Sequence, residues 1–291
     1  MKIVIVGSCS QDYFTISDKF PKKGETIIGS DFTTSLGGKG SNQAVASAKL
    51  GADVTFLGCV GKDDIGEKII NNMSSYAINT NYIQKTDEFP SGIATIIVAE
   101  GDNIIVIVKG ANNAVTVEYV KKNLKVIEDA DMVVLQLEIP LETVEYVTNI
   151  CFEKGISVML NPAPAIALKK ETIEKATYIT PNETELEIVF NDNMKNVLAK
   201  YPNKVIMTNG SQGVYYHNGK EIINVPSYKV DVVDTTGAGD SFNGALAYSL
   251  LSGFELSKAI RFSNKAASKT VQDVGAQTAM PKLRELEKYD E

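Results

Sequence analysis

The chain has 291 residues, of which 44% are hydrophobic and 22% charged. This composition is typical of a folded globular protein and excludes collagenous, low-complexity and mostly disordered chains. Its 29 Lys and Arg against 36 Asp and Glu give a net charge of −7. We therefore expect no overall positive field that would attract nucleic acid or an acidic membrane surface. The longest apolar stretches, at 93–99 and 104–108, are far shorter than the roughly 20 residues that cross a bilayer.

The first strand and the cysteines favour a cytoplasmic protein. Residues 1–7 run from one lysine into a short β-branched stretch, without the longer apolar region and cleavage site of a signal peptide. Cys9, Cys59 and Cys151 are odd in number and widely spaced, which predicts neither a disulfide framework nor a zinc site. The single histidine, His217, lies beside a predicted hairpin turn, so we expect any catalytic base to be a carboxylate.

Short β-branched runs alternate with amphipathic segments of helical length. The predicted strands are 2–6, 54–60, 132–135, 157–160, 178–180 and 204–208, and the predicted helices are 39–50, 64–76, 141–151, 239–251, 256–271 and 281–289. Strands that are separated by helical crossovers pair in parallel and need helices on both faces of the sheet. The pattern predicts an α/β fold that forms a single domain over residues 1–291.

Two segments interrupt this alternation. They are 26–35 and the pair 93–99 and 104–108, which is joined by Glu100-Gly101-Asp102-Asn103, a sequence of hairpin-turn composition. We expect a small antiparallel sheet outside the main layers. Its apolar face needs cover from a bound ligand or from the same sheet of a second subunit. The pattern alone fits a lid over an active site and an ordinary edge meander equally well.

The strongest local signal is the run Asp234 to Ala245, Asp-Thr-Thr-Gly-Ala-Gly-Asp-Ser-Phe-Asn-Gly-Ala. Gly237 and Gly239 let backbone N–H groups converge in front of a predicted helix, which is an arrangement that binds anions. An aspartate at such a site, Asp240, suits a base that takes a proton from a hydroxyl attacking a bound phosphoryl group. The alternative is a plain tight turn with Asp240 as the helix N-cap.

A second glycine-rich run, Leu36 to Ala44, precedes an alanine-rich helix. Its glycines allow close approach of the backbone to a ligand, and Lys39 and Asn42 supply donors for sugar hydroxyls. Gln43 stands where a dinucleotide-binding fingerprint needs its third glycine, so an NAD-dependent oxidoreductase fits poorly. The chain contains no P-loop motif.

In this order, the two runs resemble the ribokinase (PfkB) family of sugar and nucleoside kinases, and the resemblance covers nearly the whole chain. Further matching points are Gly7-Ser8 with Asp12, 24–26, 110–112, 136–138, 161–164 and 181–185. The resemblance implies a three-layer α/β/α fold with a mainly parallel central sheet. It also implies a β lid formed from about 12–35 and 91–110, and a homodimer that pairs through these lids.

By the same resemblance, the expected reaction is ATP-dependent phosphorylation of the 5-hydroxyl of D-ribose. Asp240 would be the general base, and the amides of Gly237, Ala238 and Gly239 would form the anion hole. The sugar-binding positions would be Ser10, Asp12, Gly38, Lys39, Asn42 and Glu138, together with Asp240. Ser10 replaces an asparagine of close relatives, so a sibling kinase for deoxyribose, another sugar or a nucleoside is the alternative. A sugar sensor without catalysis is disfavoured by the intact base and glycines.

The resemblance also implies ATP, Mg²⁺ and K⁺. Asn182 and Glu185 would organise Mg²⁺ through water, although a polar helix start after Pro181 would look the same. The nucleotide positions would be Asn182, Thr208, Gly210, Gly213, Gly239 and Asn264. The K⁺ positions would be Asp234, Thr236, Thr270, Asp273, Gly275 and Ala279, the last of which stands where a serine hydroxyl would face the cation.

Overall fold

The structure is a computed structural model, and it describes residues 1–287. The strands are β1 (Lys2–Val6), β2 (Ser10–Ile16), β3 (Asp31–Gly37), β4 (Asp53–Gly61), β5 (Ile83–Thr86), β6 (Gly92–Ala99), β7 (Asp102–Val108), β8 (Met132–Leu135), β9 (Ser157–Leu160), β10 (Tyr178–Ile179), β11 (Ile206–Thr208), β12 (Val214–His217) and β13 (Ile222–Val225). The α-helices are α1 (Lys39–Lys49), α2 (Asp64–Ser75), α3 (Val117–Lys122), α4 (Leu124–Glu128), α5 (Leu141–Lys154), α6 (Lys170–Lys175), α7 (Glu183–Phe190), α8 (Met194–Lys200), α9 (Ala238–Leu251), α10 (Leu256–Thr270), α11 (Ala276–Ala279) and α12 (Leu283–Glu287). The predicted helix over 281–289 extends past this range, and residues 288–291 lie outside the described part.

The predicted parallel sheet is confirmed. Six strands pair in the order β10-β9-β8-β1-β4-β5, and every pair is parallel. Both faces are covered, because Val4 and Val6 of β1 join one apolar cluster while Ile3 and Ile5 join the other. The first cluster contains side chains of α3 to α8, and the second contains side chains of α1, α2, α9 and α10. These are the three layers that an α/β sheet needs.

The strand predicted at 204–208 was expected in the parallel sheet, and this was wrong. β11 pairs antiparallel with β12, and with β13 they form a separate three-stranded sheet. The central sheet reaches this segment only through the isolated parallel bridges Ile179↔Val205 and Asn182↔Thr208. Since β10 is two residues long, it offers too short an edge for a full ladder, and the hairpin β12–β13 supplies the pairing instead.

A four-stranded sheet lies outside the central layers, in the order β3-β2-β6-β7. We predicted an antiparallel sheet, and this was wrong for its middle pair, because β2 and β6 run parallel. The chain between these two strands includes α1, β4, α2 and β5, which is long enough for the crossover that parallel pairing requires. The predicted hairpin is present as β6 and β7.

Helices α1 and α9 pack unusually closely, and glycine makes this possible. A Cβ on Gly244 would lie 2.4 Å from the Cβ of Ala46, and one on Gly40 would lie 2.6 Å from the amide nitrogen of Ser8. The Ser47 hydroxyl donates to the carbonyl of Gly244 at 3.2 Å. The N-terminal parts of the two helices also meet, because Asn42 and Gln43 of α1 donate to the carboxylate of Asp240 in α9.

We expect Gly244→Ala to lower the free energy of unfolding by about 1–3 kcal/mol, because the added methyl overpacks the α1–α9 contact. This outcome opposes helix propensity, which favours alanine over glycine by about 1 kcal/mol. The double variant Ala46→Gly with Gly244→Ala should regain part of the loss. Urea unfolding of the unmodified protein, the single variant and the double variant measures these differences. A Gly244→Ala protein that is more stable than the unmodified one would contradict the packing argument.

Candidate active site

A cavity of about 330 Å³ lies between the four-stranded sheet and the ends of α1 and α9. Its polar wall contains every predicted sugar-binding residue: Ser10, Asp12, Gly38, Lys39, Asn42, Glu138 and Asp240. Apolar side chains line the rest of the cavity, with Ala94 and Ile96 from β6 and Ile105 and Ile107 from β7, and the register places Ala94 directly beside Asp12. Such a mixture of convergent polar groups and an apolar wall is typical of small-molecule sites.

Glu138 joins the turn after β1 to the start of α1. Its Oε2 accepts from the Ser8 hydroxyl at 2.5 Å and from the backbone N–H of Lys39 at 2.9 Å. Glu138 follows β8, whereas Ser8 follows β1 and Lys39 begins α1. The carboxyl ends of neighbouring parallel strands therefore supply groups to one place, as is usual in α/β folds.

The β2 strand contributes a serine and an aspartate to the same wall. The Ser10 hydroxyl donates to Asp12 Oδ1 at 3.0 Å. Burial raises the pKa of Asp12 to about 6; the bond from Ser10 opposes this rise, and the nearby carboxylates of Glu138 and Asp240 add to it. Asp12 therefore titrates not far below neutral pH. Its ionised form only accepts hydrogen bonds from hydroxyls, whereas its protonated form can also donate one.

Asp240 lies on the first turn of α9 and is 8% exposed. Its Oδ2 accepts from Asn42 Nδ2 at 2.9 Å, and its Oδ1 accepts from Gln43 Nε2 at 3.0 Å. Burial raises the pKa of Asp240, while Lys39 and the two amide donors oppose the rise. The alternative that Asp240 is only the N-cap was wrong, since the N-cap is Gly237.

Glycine is suited to positions 237 and 239, at the start of α9, for two different physical reasons. Gly237 has φ 76° and ψ 0°, and a Cβ there would lie 2.8 Å from the Cβ of Ala276, so a side chain does not fit. Gly239 is exposed, and a Cβ there would meet nothing within 4 Å. Ala238 N–H donates to Thr235 O at 3.2 Å. The space in front of Gly239 is therefore open to a ligand at the positive end of the helix.

Asn182 and Glu185 form a capping box at the start of α7. Asn182 Oδ1 accepts from the Glu185 N–H, and Glu185 Oε2 accepts from the Asn182 N–H, each at 2.8 Å. The polar helix start that sequence reasoning kept as the alternative is thus present. Burial raises the pKa of Glu185, the bond from the Asn182 N–H and the charge of Lys39 lower it, and the charge of Asp240 raises it further.

Three of the predicted nucleotide positions, Thr208, Gly210 and Gly213, lie at the end of β11 and in the turn between β11 and β12. Thr208 N–H donates to the carbonyl of Pro181 at 2.9 Å, so the turn lies beside the start of α7. Gly210 and Gly213 have positive φ values of 47° and 89°. Asn264 is 5% exposed, and its Nδ2 donates to the carbonyls of Val225 and Pro226 at 3.0 and 3.1 Å. The amide of Asn264 therefore holds the end of β13.

Half of the predicted K⁺ positions are joined through one carboxylate. Asp234 Oδ1 accepts from the N–H and the hydroxyl of Thr236, and Asp234 Oδ2 accepts from Gly275 N–H at 2.9 Å. Burial raises the pKa of Asp234, but these three bonds outweigh it and leave the pKa below its usual value. The Thr270 hydroxyl instead donates to Ser241, the neighbour of Asp240, at 2.8 Å. Asp273 N–H donates to Thr270 O, and Ala279 lies in α11.

Within residues 1–287, no group of three or more His, Cys, Asp or Glu side chains is arranged to hold a metal ion. A magnesium ion in an ATP site keeps several waters and takes one or two protein carboxylates, so Glu185 beside Asn182 fits this requirement. The Asp234 carboxylate and the hydroxyls of Thr236 and Thr270 are oxygen groups, which is the ligand type that a large monovalent cation requires. Among these residues, no helix combines the length and hydropathy that crossing a membrane requires.

Sequence reasoning assigned no role to two polar residues of the cavity, Asn112 and Lys109. Asn112 is 4% exposed, its Nδ2 donates to the Cys9 carbonyl and its Oδ1 accepts from the Cys9 N–H, each at 2.9 Å. It therefore fixes the peptide between Ser8 and Ser10. Lys109 also lines the cavity. The motif Gly110-Ala111-Asn112 was the available signal, but the contact spans 103 residues of sequence and no local pattern predicts it.

Comparisons with known proteins agree with this geometry. The model of the pfkB family of carbohydrate kinases matches residues 1–283, and the chain belongs to this family. It is 49% identical to a ribokinase of Bacillus subtilis over 98% of both chains, and 42% identical to a ribokinase of Lactococcus lactis over 98% of this chain and 95% of the relative. A deoxyribokinase of Salmonella typhi is 35% identical over 99% of this chain and 98% of its own.

Solved structures give the same result. A ribokinase of Arabidopsis thaliana in complex with ribose and ATP superimposes with a TM-score of 0.89 at 30% identity, covering 98% of this chain and 97% of that one. A ribokinase of Thermotoga maritima also has a TM-score of 0.89, at 34% identity, covering 99% of this chain and 98% of that one. The predicted fold class is thereby confirmed.

We expect sugar affinity to fall on acidification, because Asp12 with its pKa of about 6 must be ionised to accept hydroxyl protons. The dissociation constant for the sugar should rise about tenfold from pH 7 to pH 5, which is the linkage expected for one group of this pKa. Calorimetric titration measures it. The Asp12→Asn variant lacks the titrating carboxylate, so its weaker binding should vary little with pH; an affinity of the unmodified protein constant within about twofold would contradict this role.

Proposed function

We propose that this protein transfers the γ-phosphoryl group of ATP to the 5-hydroxyl of D-ribose. The observation that carries the proposal is the position of Asp240, whose carboxylate lies on the wall of a polyol-binding cavity and on the first turn of the helix that faces open space at Gly239. The ribokinase relatives confirm the prediction of an ATP-dependent ribose kinase. They also support the binding of ribose and ATP.

The side chains around the cavity suit a polyol. Asp12 and Glu138 accept protons from hydroxyls, whereas Lys39 and Asn42 donate, so each buried hydroxyl finds both kinds of partner. Ser10 shares a hydrogen bond with Asp12 and fixes the direction of that carboxylate. A sugar that lacks one hydroxyl would leave a buried group unpaired, and this is the physical basis of discrimination at such a site.

The chemical step follows from the location of the base. Asp240 takes the proton of the 5-hydroxyl, the sugar oxygen forms a bond to the γ-phosphorus, and the bond from that phosphorus to the β–γ bridging oxygen breaks to release ADP. The amides at the start of α9, Gly237 to Gly239, stabilise the negative charge of the transferred group together with the helix dipole. The positive charge of Lys39 lowers the pKa of Asp240 and so favours the ionised carboxylate that the step requires.

We also propose the two cations of the sequence prediction. Asn182 and Glu185 would hold Mg²⁺ through water, and this ion would neutralise phosphate charge when bound. Backbone carbonyls around Asp234, with Thr236, Thr270, Asp273, Gly275 and Ala279, would hold K⁺ next to the start of α9. Support for the K⁺ site is the contact of Asp234 with Thr236 and Gly275, which brings two of the contributing segments together. Asn182, Thr208, Gly210, Gly213, Gly239 and Asn264 remain the proposed nucleotide positions.

The second candidate function is a kinase of the same family for deoxyribose. The 35% identity to a deoxyribokinase supports it weakly, and Ser10 is the residue that keeps it open. A coupled ADP-release assay with Mg²⁺-ATP across ribose, 2-deoxyribose, fructose and adenosine, each with and without K⁺, separates the candidates. Ribose should give the highest kcat/KM and K⁺ should raise it. A higher kcat/KM for 2-deoxyribose would assign the second candidate.

Replacing the base tests the proposed chemistry. Asp240→Asn keeps the shape of the side chain and removes its ability to accept the proton, so we expect kcat to fall by about 10²–10⁴-fold. Calorimetry should still detect ribose and ATP binding. Asp53→Asn, the same change at an exposed position of β4, should leave kcat within twofold. An Asp240→Asn enzyme with near-normal turnover would remove the base from the mechanism.

We further propose that the four-stranded sheet is a lid and that two lids pair in a homodimer. All seven residues of β7 are exposed, and five of them are large and apolar: Ile104, Ile105, Val106, Ile107 and Val108. Ile105 and Ile107 line the cavity, so strand alternation turns Ile104 and Val106 to the other face. An unpaired edge strand with apolar side chains on both faces needs a partner, and a second lid supplies one.

We expect Val106→Lys to convert the dimer into a monomer, because the substitution would bury a charge at the paired face. Light scattering coupled to size-exclusion chromatography measures the mass. Phe152→Lys, an equally drastic change at an exposed residue of α5, should leave the dimer intact. A Val106→Lys protein that remains dimeric would exclude this face as the contact.

The cysteines support the proposed cytoplasmic location. Cys9, Cys59 and Cys151 are all free and buried. Three unpaired thiols are typical of proteins in a reducing compartment.

A further inference from the structure

Four buried amide side chains form two relays that end on the carboxylate of Asp240. They are Asn42, Gln43, Gln136 and Gln277, and each is at most 6% exposed. Asn42 and Gln43 contact the carboxylate directly. Behind each of them lies a glutamine from a distant part of the chain, Gln277 in α11 and Gln136 directly after β8.

The first relay runs from Gln136 through Gln43. Gln136 Nε2 donates to Gln43 Oε1 at 2.7 Å, and Gln43 Nε2 donates to Asp240 Oδ1 at 3.0 Å. Gln43 Nε2 also donates to Asn161 Oδ1 at 3.1 Å. A side-chain amide has one accepting end and one donating end. Because Gln136 fills the accepting end of Gln43, the donating end faces Asp240.

The second relay has the same polarity. Gln277 Nε2 donates to Asn42 Oδ1 at 2.9 Å, and Asn42 Nδ2 donates to Asp240 Oδ2 at 2.9 Å. Gln277 is itself oriented, since its Oε1 accepts from Asn72 Nδ2 at 2.7 Å. The two oxygens of Asp240 thus accept from the amides of Asn42 and Gln43. Each of these amides accepts in turn from a glutamine that does not contact Asp240.

We propose that Gln136 and Gln277 are positioning residues for phosphoryl transfer, because they turn the amides of Gln43 and Asn42 so that both present N–H groups to Asp240. This inference rests on the proposed function, in which Asp240 is the base. The two donors hold the carboxylate in one orientation toward the cavity, which fixes the geometry of proton transfer. A turned amide would place a carbonyl oxygen against the carboxylate and convert an attraction into a repulsion.

The electrostatic surroundings make this orientation consequential. The groups that interact with Asp240 are Lys39 from α1, Glu138 after β8, Asp12 on β2 and Glu185 on α7, and three of these four are carboxylates. Burial already raises the pKa of Asp240, and the amide donors oppose that rise. Loss of a donor leaves the charged form less stable, so the base requires a higher pH to ionise.

The test uses glutamate, which has the shape of glutamine but only accepts hydrogen bonds when ionised. In Gln136→Glu the new carboxylate faces Gln43 Oε1 and favours a turned Gln43 amide, against the bond from Gln43 to Asn161. In Gln277→Glu the new carboxylate faces Asn42 Oδ1 and favours a turned Asn42 amide. We expect each variant to lose about tenfold or more in kcat, which is the effect of a barrier raised by one hydrogen bond of this kind. KM for ribose and for ATP should remain within about twofold of the original values, at saturating K⁺.

The pH profile separates positioning from a purely structural role when the uncharged variants Gln136→Met and Gln277→Met are measured beside the glutamate variants, because a buried glutamate also raises the pKa of Asp240 by its charge alone. The acidic limb of kcat should move to higher pH in both glutamate variants, whereas the loss of a scaffold contact would leave that limb in place. Gln84→Glu is the matched control, since it introduces the same charge at an exposed position of β5 and should change neither kcat nor the limb. If a glutamate variant fails to fold, Gln136→Met or Gln277→Met carries the test, with a smaller loss of kcat in the same direction.

Two results would overturn the inference. The first is an unchanged kcat and pH limb in folded variants, and the second is a lower kcat with an unmoved limb and weaker sugar binding. The Asp240→Asn background distinguishes this failure from a failure of the proposed function. If the relay acts through Asp240, adding Gln277→Glu to Asp240→Asn lowers the residual turnover no further, whereas an active Asp240→Asn enzyme would refute the base itself.

Discussion

The structure depends on the contact between the first turns of α1 and α9, where Asn42 and Gln43 donate to the carboxylate of Asp240. This contact joins the polyol-binding wall to the helix start that faces the proposed phosphoryl group. Gly244 allows it, because any side chain there would force the two helices apart. Burial alone would favour the protonated form of Asp240, so the amide donors help to keep the carboxylate charged and able to accept a proton.

The central sheet could be predicted from the sequence because its strands are short, β-branched and separated by amphipathic helices. Each helix predicted before residue 281 is present within a few residues of its expected bounds. The edges of the fold were less predictable. β11 joins the three-stranded sheet because β10 is too short to pair with it, and β2 pairs parallel with β6 across a crossover that no local pattern reveals.

The candidate site was partly predictable for a similar reason. Glycines and charged residues in compact runs, such as Gly38 with Lys39 and Gly237 with Asp240, predict ligand contacts locally, and the cavity contains them. The contacts of Asn112, Gln136 and Gln277 could not be predicted in this way, since their partners are separated from them by 93 to 235 residues. Asn182 and Glu185 show the converse, because the same tetrapeptide that resembles a magnesium motif also forms a capping box.

The central claim is that Asp240 directs the γ-phosphoryl group to the primary hydroxyl of ribose. Identification of the product by ³¹P NMR, after incubation of the enzyme with Mg²⁺-ATP, K⁺ and D-ribose, tests it most directly. The account predicts a phosphate monoester whose phosphorus couples to the two protons on C5, formed in equal amount to ADP. A phosphate on another carbon, or ATP consumption that yields only inorganic phosphate, would contradict it.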